Sequence, residues 1–256
     1  MGYVFEFKDA RAYDQWFQKR RNQSAISLQC RIMKAMLEPQ AGETVLDIGC
    51  GIGTSMQSHL DAGLNVTGLD PSPYMLDAAH AKLGDRIGLY RGFAEDLPFD
   101  DNSFNYACFF ATLEFVNDPQ KAIEEACRVA KDKMFIGIFN RYALKGIHRR
   151  IKGIFSESFF NHAHFYSVWE LKKMVRKAIG EVPVSWRTVC QFPNPAGKIV
   201  ESIERLELVQ RCPFGAFAGM IVTLVPRFRT RPLALRYHPT TTNALAGGQL
   251  STTVTN

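Results

Sequence analysis

Short apolar stretches alternate with amphipathic ones through the middle of the chain. Each is rich in β-branched and aromatic residues and is too short for a typical helix, which favours buried strands. They are 44–48 (TVLDI), 65–70 (NVTGLD), 87–90 (IGLY), 104–110 (FNYACFF) and 134–139 (MFIGIF). Because alternating strands and helices build sheets covered on both faces, the pattern predicts an α/β fold with a doubly wound, mostly parallel sheet.

Helical periodicity marks three further segments, 24–38, 119–131 and 167–180. In the first, one helical stripe collects Leu28, Ile32, Ala35 and Met36. The second is preceded by Asp118, which is suited to cap a helix N-terminus and is followed by proline. We therefore expect helices over all three segments.

Two late apolar runs, 182–192 and 214–225, predict a C-terminal antiparallel hairpin that brings the sheet to seven strands. The last residues, 239–256, are small and polar without periodicity, which is typical of a disordered tail. We divide the chain into an N-terminal helical cap (1–38), a core (39–140), a variable segment (141–166), the C-terminal part of the sheet (167–226) and an extended tail (227–256).

The sequence VLDIGCGIGT places Gly49, Gly51 and Gly53 directly after the first predicted strand. A strand that runs into glycines and then a helix lets the backbone approach a ligand closely. The dinucleotide pattern G-x-G-x-x-G would need its third glycine at Thr54, so the spacing differs. Asp47, two residues ahead of the first glycine, would repel a pyrophosphate and attract a cationic amino group.

A second acidic residue, Asp70, ends the second predicted strand, 21 residues beyond Gly49. A carboxylate at that place can accept hydrogen bonds from both hydroxyls of a ribose. An adenosine that carries an amino acid instead of phosphates suits both carboxylates, and S-adenosylmethionine is such a molecule.

Three motifs, ETVLDIGCGIGT, GLDPSPYMLDAA and GFAEDLPFDDNSFNYACFFATLEFVNDP, occur in this order. Together they resemble the successive motifs of class I S-adenosylmethionine-dependent methyltransferases of the type-11, small-molecule kind. RAYDQWFQ (11–18) also resembles the short segment that precedes the fold in many members. The resemblance covers residues 10–140 well and continues weakly to about 225. It implies a Rossmann-like fold whose core, 39–140, binds S-adenosylmethionine.

The resemblance also implies cofactor contacts. The three glycines would pass beneath the methionine part, Asp47 would face its amino group, and Asp70 would hold the ribose. Met75 would pack near the adenine, or serve as core, and the backbone N–H of Ala94 would meet the ring. Further contacts are expected from Tyr13, Pro71, Phe93 and Ala111.

Two cofactor contacts have alternatives. The family usually has an aspartate where this chain has Phe93, so an expected hydrogen bond to the adenine is missing. An aromatic contact could replace it, or Glu95 or Asp96 could reach across. Tyr13 and Trp16 fit either lids on the cofactor or packing of the first helix.

Methyl transfer needs an aligned acceptor and exclusion of water more than it needs a catalytic triad. The acceptor pocket should lie beyond the ends of the fourth and fifth strands. Candidate bases or orienting groups there are Glu114, His162 and His164, each of which also fits a structural role. No metal site is expected.

A basic amphipathic helix is predicted over residues 141–155, RYALKGIHRRIKGIF. Its apolar stripe comprises Leu144, Ile147, Ile151 and Ile154, and basic residues occupy the rest. Such a helix fits peripheral contact with an anionic membrane, a lid over an apolar pocket, or a plain surface helix.

The chain carries 31 basic and 25 acidic residues, a net charge of +6 that selects no partner class by itself. Its six cysteines form no C-x-x-C pair and no secretory signal is evident, so we expect reduced thiols and a cytoplasmic location. The favoured hypothesis is a small-molecule methyltransferase that acts on an oxygen, nitrogen or carbon centre. The apolar content after residue 140 would suit a hydrophobic acceptor, but buried strands and helices have the same composition, so the acceptor stays open. An RNA methyltransferase is less favoured because no N-P-P-Y-type motif or RNA-binding module is seen, and nucleic acid is not an expected partner. Non-catalytic binding of S-adenosylmethionine stays open, and a nicotinamide dehydrogenase ranks lowest.

Overall fold

The structure is a computed structural model that describes residues 2–143, 163–190 and 202–224. The described residues form one seven-stranded sheet in the order β3-β2-β1-β4-β5-β7-β6. The strands are β1 (Thr44–Ile48), β2 (Asn65–Asp70), β3 (Ile87–Arg91), β4 (Phe104–Phe110), β5 (Ala130–Phe139), β6 (Val184–Val189) and β7 (Phe217–Thr223). Strands β1 to β5 are parallel, and β7 runs antiparallel to both β5 and β6. The expected Rossmann-like α/β fold with a C-terminal antiparallel hairpin is confirmed.

Helices cover both faces of this sheet. They are α1 (Phe7–Phe17), α2 (Arg20–Leu37), α3 (Thr54–Leu60), α4 (Pro73–Leu83), α5 (Pro119–Val129), α6 (Val168–Ile179) and the short α7 (Glu207–Gln210). Asp118 caps α5 as predicted, because its carboxylate accepts a hydrogen bond from the backbone N–H of Lys121 at 3.0 Å. Ser167 and Glu170 form a capping box at the start of α6.

Alternate residues of the strands face two separate cores, as the period of two in a strand requires. Leu46 and Ile48 of β1 belong to the core beneath α5 and α6. Val45 belongs to the core beneath α2. The predicted stripe of α2 is buried except at Ala35, which lies on the exposed edge of the helix.

The largest difference from the predicted strand bounds among the first five strands is at the start of β5, whereas β3 extends by only one residue, to Arg91. β5 begins at Ala130 rather than at residue 134, and α5 ends at Val129, two residues before the predicted end at residue 131. The extra residues, AKDK, have no strand-like apolar pattern. Their strand conformation comes from pairing with β4, where the register shifts between Phe104 and Tyr106.

Several predictions fall outside the described residues. Of the predicted basic helix 141–155, the structure describes only Arg141–Ala143, a single 3-10 turn. The tail 227–256 and His162 also lie outside the described ranges. The division of the chain into five segments therefore stays a prediction.

Candidate functional site

The three glycines form a tight turn between β1 and α3. Gly49, Gly51 and Gly53 have positive φ angles of 71°, 52° and 79°, a backbone region that residues with a Cβ rarely adopt. The backbone N–H of Gly49 donates to the carbonyl of Leu69 in β2 at 2.7 Å, which fastens the turn to the neighbouring strand. A Cβ on Gly49 would overlap the side chain of Thr112, whereas one on Gly51 would meet open space. The turn thus leaves space around Gly51, while Gly49 lies against the end of β4.

Asp47 is fully buried at the end of β1, directly before this turn. Its Oδ2 accepts a hydrogen bond from Ser55 Oγ at 2.5 Å, and its Oδ1 has no hydrogen-bond partner among the described residues. Burial, reinforced by the charge of Asp70, raises the pKa of Asp47 to about 7. A buried carboxylate oxygen without a donor fits a ligand that brings a cationic amino group.

Asp70, at the end of β2, joins the glycine turn to the start of α4. One carboxylate oxygen accepts from the backbone N–H of Gly51 and the other from that of Ser72, both at 2.9 Å. Burial raises the pKa of Asp70 to about 6 against the opposing effect of these two amides. Each oxygen keeps a second lone pair, so the carboxylate can still accept from a ligand hydroxyl.

Ser72 was missed by sequence reasoning, although the Ser-Pro pair at 72–73 is a helix-start signal that could have found it. Its hydroxyl caps α4 by accepting from the N–H of Met75, and it donates to the carbonyl of Phe5 at 2.6 Å. At the other end of the same N-terminal segment, the N–H of Tyr3 donates to the carbonyl of Phe115 at 3.0 Å. Residues 2–6 therefore pass over the carboxyl edge of the sheet, from beyond the end of β4 to the end of β2.

Helix α1 continues this cover. Tyr13 packs with Ala10, Ile52 and Met75 in a small apolar cluster beside the glycine turn. Burial, and then the charges of Cys30 and Asp47, raise the pKa of Tyr13 to about 12. The tertiary structure thus brings Tyr13, Met75 and Asp47 to one place, and their contact with the cofactor stays a prediction.

The loop after β3 carries the predicted adenine contacts. Phe93 is 37% exposed, and Ala94, next to it, is buried. Glu95 Oε1 accepts hydrogen bonds from the backbone N–H groups of Asn117 and Asp118, at 3.0 and 3.2 Å. Oε1 is thus engaged with the start of α5, and contact of Glu95 or Asp96 with the adenine stays a prediction.

Pro71 and Ala111 border the site at the ends of β2 and β4. The carbonyl of Pro71 accepts from Arg91 Nε at 3.3 Å. Ala111 has a positive φ of 56°, and its N–H donates to the carbonyl of Gly137 at 2.8 Å. This left-handed residue turns the chain so that Thr112 Oγ1 contacts the carbonyl of Gly49 at 3.3 Å.

Glu114 is buried, on the side of the sheet where the acceptor pocket is expected. Its Oε1 accepts from the N–H of Phe139 at 2.6 Å, and Oε2 has no hydrogen-bond partner in the described part of the chain. Burial raises the pKa of Glu114 to about 7. Its carbonyl accepts from the N–H of His164 at 2.7 Å, whereas the imidazole of His164 is exposed and lies 3.2 Å from Arg141 Nη2. Two predicted acceptor-side residues are therefore neighbours through the backbone.

Among residues 2–143, 163–190 and 202–224, no helix has the length and apolar character to cross a bilayer. In the same ranges, no cluster of His, Cys, Asp or Glu is arranged to hold a metal ion. The six cysteines are all free thiols.

The sheet order, the glycine turn and the two buried aspartates at neighbouring strand ends together define a class I S-adenosylmethionine-dependent methyltransferase fold. Comparison with known proteins agrees: a model of the family described as "Methyltransferase domain" matches residues 46–136. An uncharacterized protein of Methanocaldococcus jannaschii is 33% identical over 68% of this chain and 79% of its own length. The chain belongs to the class I S-adenosylmethionine-dependent methyltransferase family.

Two further proteins illustrate the range of the similarity. A demethylmenaquinone methyltransferase of Renibacterium salmoninarum is 43% identical over 35% of this chain and 38% of its own length. A solved S-adenosylmethionine-dependent methyltransferase of Thermotoga maritima is 26% identical, with a TM-score of 0.63, over 85% of this chain and 96% of that one. The chain spans about two fifths of the length of the demethylmenaquinone methyltransferases it matches.

Proposed function

We propose that the protein transfers the methyl group of S-adenosylmethionine to a small, hydrophobic acceptor by in-line displacement. The observation that carries the proposal is Asp47 Oδ1, a buried carboxylate oxygen beside the glycine turn with no donor among the described residues. S-Adenosylmethionine has a cationic amino group to place there. A pyrophosphate-bearing dinucleotide would be repelled by the same oxygen.

In this proposal each part of the cofactor has its own residues. Asp47 binds the amino group, Asp70 accepts from the ribose hydroxyls, and the glycine turn lies beneath the methionine part. The remaining contacts come from Tyr13, Pro71, Met75, Phe93, Ala94 and Ala111. When bound, the cofactor supplies a methyl group on a positively charged sulfur, which is already activated toward a nucleophile.

The chain itself orients the acceptor and excludes water. Residues 2–6 and α1 cover the carboxyl edge of the sheet, which supports a site shielded from solvent. Where the acceptor must lose a proton, Glu114 is a better candidate than His164, because its pKa of about 7 suits proton transfer near neutral pH. His164 is exposed, and the role of His162 stays a prediction.

We take the acceptor to be a hydrophobic molecule of the quinone type. The support is the similarity to a demethylmenaquinone methyltransferase in the cofactor-binding half of the chain. An RNA acceptor and non-catalytic binding of the cofactor are the alternatives that the experiment must separate.

The first test is thermal unfolding with S-adenosylmethionine, S-adenosylhomocysteine and NAD in parallel. A ligand at ~100 times its dissociation constant stabilises the fold by roughly 2.7 kcal/mol, a shift of about 5–10 °C for a chain of this size. We expect a shift with both adenosyl ligands that is lost in Asp70→Ala. A shift with NAD alone, or none with either adenosyl ligand, contradicts the cofactor assignment.

The second test supplies cofactor with a labelled methyl group to a demethylmenaquinol-type acceptor and, separately, to total RNA. Label in the organic extract supports the proposal, whereas label in RNA alone supports the alternative enzyme. Cofactor binding with no transfer to either class of acceptor contradicts the proposed chemistry and favours a binding protein.

A further inference from the structure

Helix α6 carries an exposed stripe that the cofactor site does not use. Trp169, Lys172, Lys173 and Arg176 are exposed at the spacing i, i+3, i+4 and i+7, which places them on one face of the helix. The opposite face is buried against the sheet and α5 through Val168, Leu171 and Val175. The stripe therefore combines one large aromatic side chain with three cations.

Trp169 has an aromatic neighbour from the end of β5. The ring of Tyr142 meets it edge to face, with 5.4 Å between the centroids, and the two residues are 55% and 53% exposed. The backbone here is fixed, because the N–H of Arg141 donates to the carbonyl of Tyr166 and the Arg141 guanidinium pairs with Glu170 at 2.6 Å. Two amphipathic rings are thus held open to solvent on a rigid support.

A third exposed ring comes from the turn before β7. Asn140, which is fully buried, donates from Nδ2 to the carbonyls of Pro213 and Gly215, at 2.7 and 2.8 Å. The residue between them, Phe214, is 60% exposed. We call Tyr142, Trp169 and Phe214 the aromatic corner. It lies at the carboxyl end of β5, on the side of the sheet where the acceptor pocket is expected.

The chemistry of this corner matches a lipid surface. Tyrosine and tryptophan have apolar rings with a polar edge and settle where hydrocarbon meets water. Lys172 and Lys173 form no ion pair with a described residue, whereas Arg176 is paired with Glu181. The two lysines and the net charge of +6 complement an anionic membrane surface.

We propose that the aromatic corner, with Lys172 and Lys173, docks the protein on the surface of an anionic lipid bilayer. Membrane contact is one of three interpretations that the sequence left open for residues 141–155; the surface proposed here lies instead on α6 and the two turns beside it. Docking here would set the acceptor side of the sheet against the membrane, from which a hydrophobic acceptor can enter. The docking surface itself does not depend on the acceptor assigned above.

The test is co-sedimentation of the full chain with vesicles of phosphatidylglycerol and phosphatidylcholine, and with pure phosphatidylcholine as reference. We expect binding to the anionic vesicles that weakens with salt. Lys172→Gln/Lys173→Gln should weaken it roughly 30-fold, since each lysine near such a surface contributes a factor of about five. Tyr142→Ala/Trp169→Ala should weaken vesicle binding by about tenfold or more. The fluorescence emission of Trp169 should shift to shorter wavelength on binding, and loss of this shift in Trp169→Phe would assign it to Trp169.

The matched control is Lys19→Gln/Arg20→Gln, which removes the same charge at the start of α2, on the other face of the sheet. It should change binding by less than about threefold. Equal losses in the two double variants would reduce the effect to net charge and overturn the proposal. Absence of wild-type binding to anionic vesicles would overturn it as well, and would favour a protein partner for the corner. The thermal shift with S-adenosylmethionine should stay unchanged in the same variants. It therefore distinguishes failure of the membrane-docking proposal from failure of the cofactor assignment.

Discussion

At the scale of single residues, burial sets the chemistry of the site. Asp47 and Asp70 are ordinary carboxylates in the sequence, yet removal from water raises both pKa values, to about 7 and about 6. The protein holds Asp47 with one hydroxyl donor, whereas Asp70 has two backbone donors. Asp47 is therefore the carboxylate that gains most from a cationic ligand.

The first prediction concerns Asp47→Asn. A cationic amino group binds the ionised carboxylate, so affinity for S-adenosylmethionine should rise several-fold in the wild type between pH 6 and pH 7.5, as Asp47 loses its proton. The variant should bind roughly 10–100-fold more weakly and show a flat profile above pH 6.5. Calorimetric titration at several pH values measures both effects. An unchanged pH profile in Asp47→Asn would show that another group binds the amino group.

The second prediction compares two glycines with the same backbone requirement. Gly49→Ala and Gly51→Ala each place a Cβ at positive φ, which costs roughly 1–2 kcal/mol. Only Gly49→Ala also overlaps Thr112, so it should lose clearly more stability, by about 1–3 kcal/mol. Chemical denaturation of both variants without ligand makes the comparison. Equal losses would mean that Thr112 moves aside freely.

At the scale of elements, the adenine-side loop is held by α5. Arg128 donates to the carbonyls of Leu97 and Phe99, at 2.9 and 2.7 Å, and to Glu125 at 2.7 Å. Glu125 in turn accepts from the N–H of Leu97 at 3.1 Å. An irregular loop thus receives backbone hydrogen bonds from one ion pair on a helix, at Leu97 and Phe99, three and five residues after Ala94.

The third prediction follows from this contact. Arg128→Ala should lower stability by about 2–3 kcal/mol, because Glu125 loses its partner and two carbonyls lose their donor. It should also weaken S-adenosylmethionine binding, since the loop carries Phe93 and Ala94. Lys121→Ala is the control: this exposed lysine lies 3.7 Å from Glu125 and should change stability by less than about 0.5 kcal/mol. Thermal unfolding and calorimetry are the measurements, and similar losses in both variants would refute a special role for Arg128.

At the scale of the whole molecule, buried ionisable groups make the stability depend on pH in opposite directions. His59 is fully buried, and neither ring nitrogen has a hydrogen-bond partner among the described residues. Burial, helped by the charge of Lys34, lowers the pKa of His59 to about 4. Asp47 and Glu114 shift the other way, to about 7.

The fourth prediction concerns His59. Between pH 6.5 and pH 4 the unfolded chain binds a proton at this residue and the folded chain does not, so His59 lowers the free energy of unfolding by about 3 kcal/mol as the pH falls. Over about pH 4 to 7 the raised carboxylates act oppositely, because the folded chain holds protons that the unfolded chain has lost. His59→Leu should therefore be relatively more stable at pH 4.5 than at pH 7.5. Denaturation curves at both pH values test this, and an equal difference from wild type at each would contradict it.

The sequence predicted the bounds of three strands correctly. β1, β2 and β4 begin and end where TVLDI, NVTGLD and FNYACFF do, because a strand buried on both faces needs apolar side chains on both. The first residues of β5 have no such pattern, and pairing with the neighbouring strands β4 and β7 makes them a strand. The prediction placed Ala35 on the buried stripe of α2, but the residue is exposed. A small residue such as alanine fits either the buried or the exposed face of a helix.

The sequence by itself determined the α/β class, the glycine turn and the two acidic strand ends, because periodicity and motif spacing are local properties of the chain. The tertiary structure decided which groups form hydrogen bonds with each other. The hydrogen bonds from Ser55 to Asp47 and from Ser72 to Phe5 join different elements of the fold, and Glu114 is buried where elements meet. No local sequence pattern specifies the distances and angles between those elements. Hydrogen-bond partners and pKa values depend on which surfaces meet and exclude water, and only the folded chain fixes those contacts.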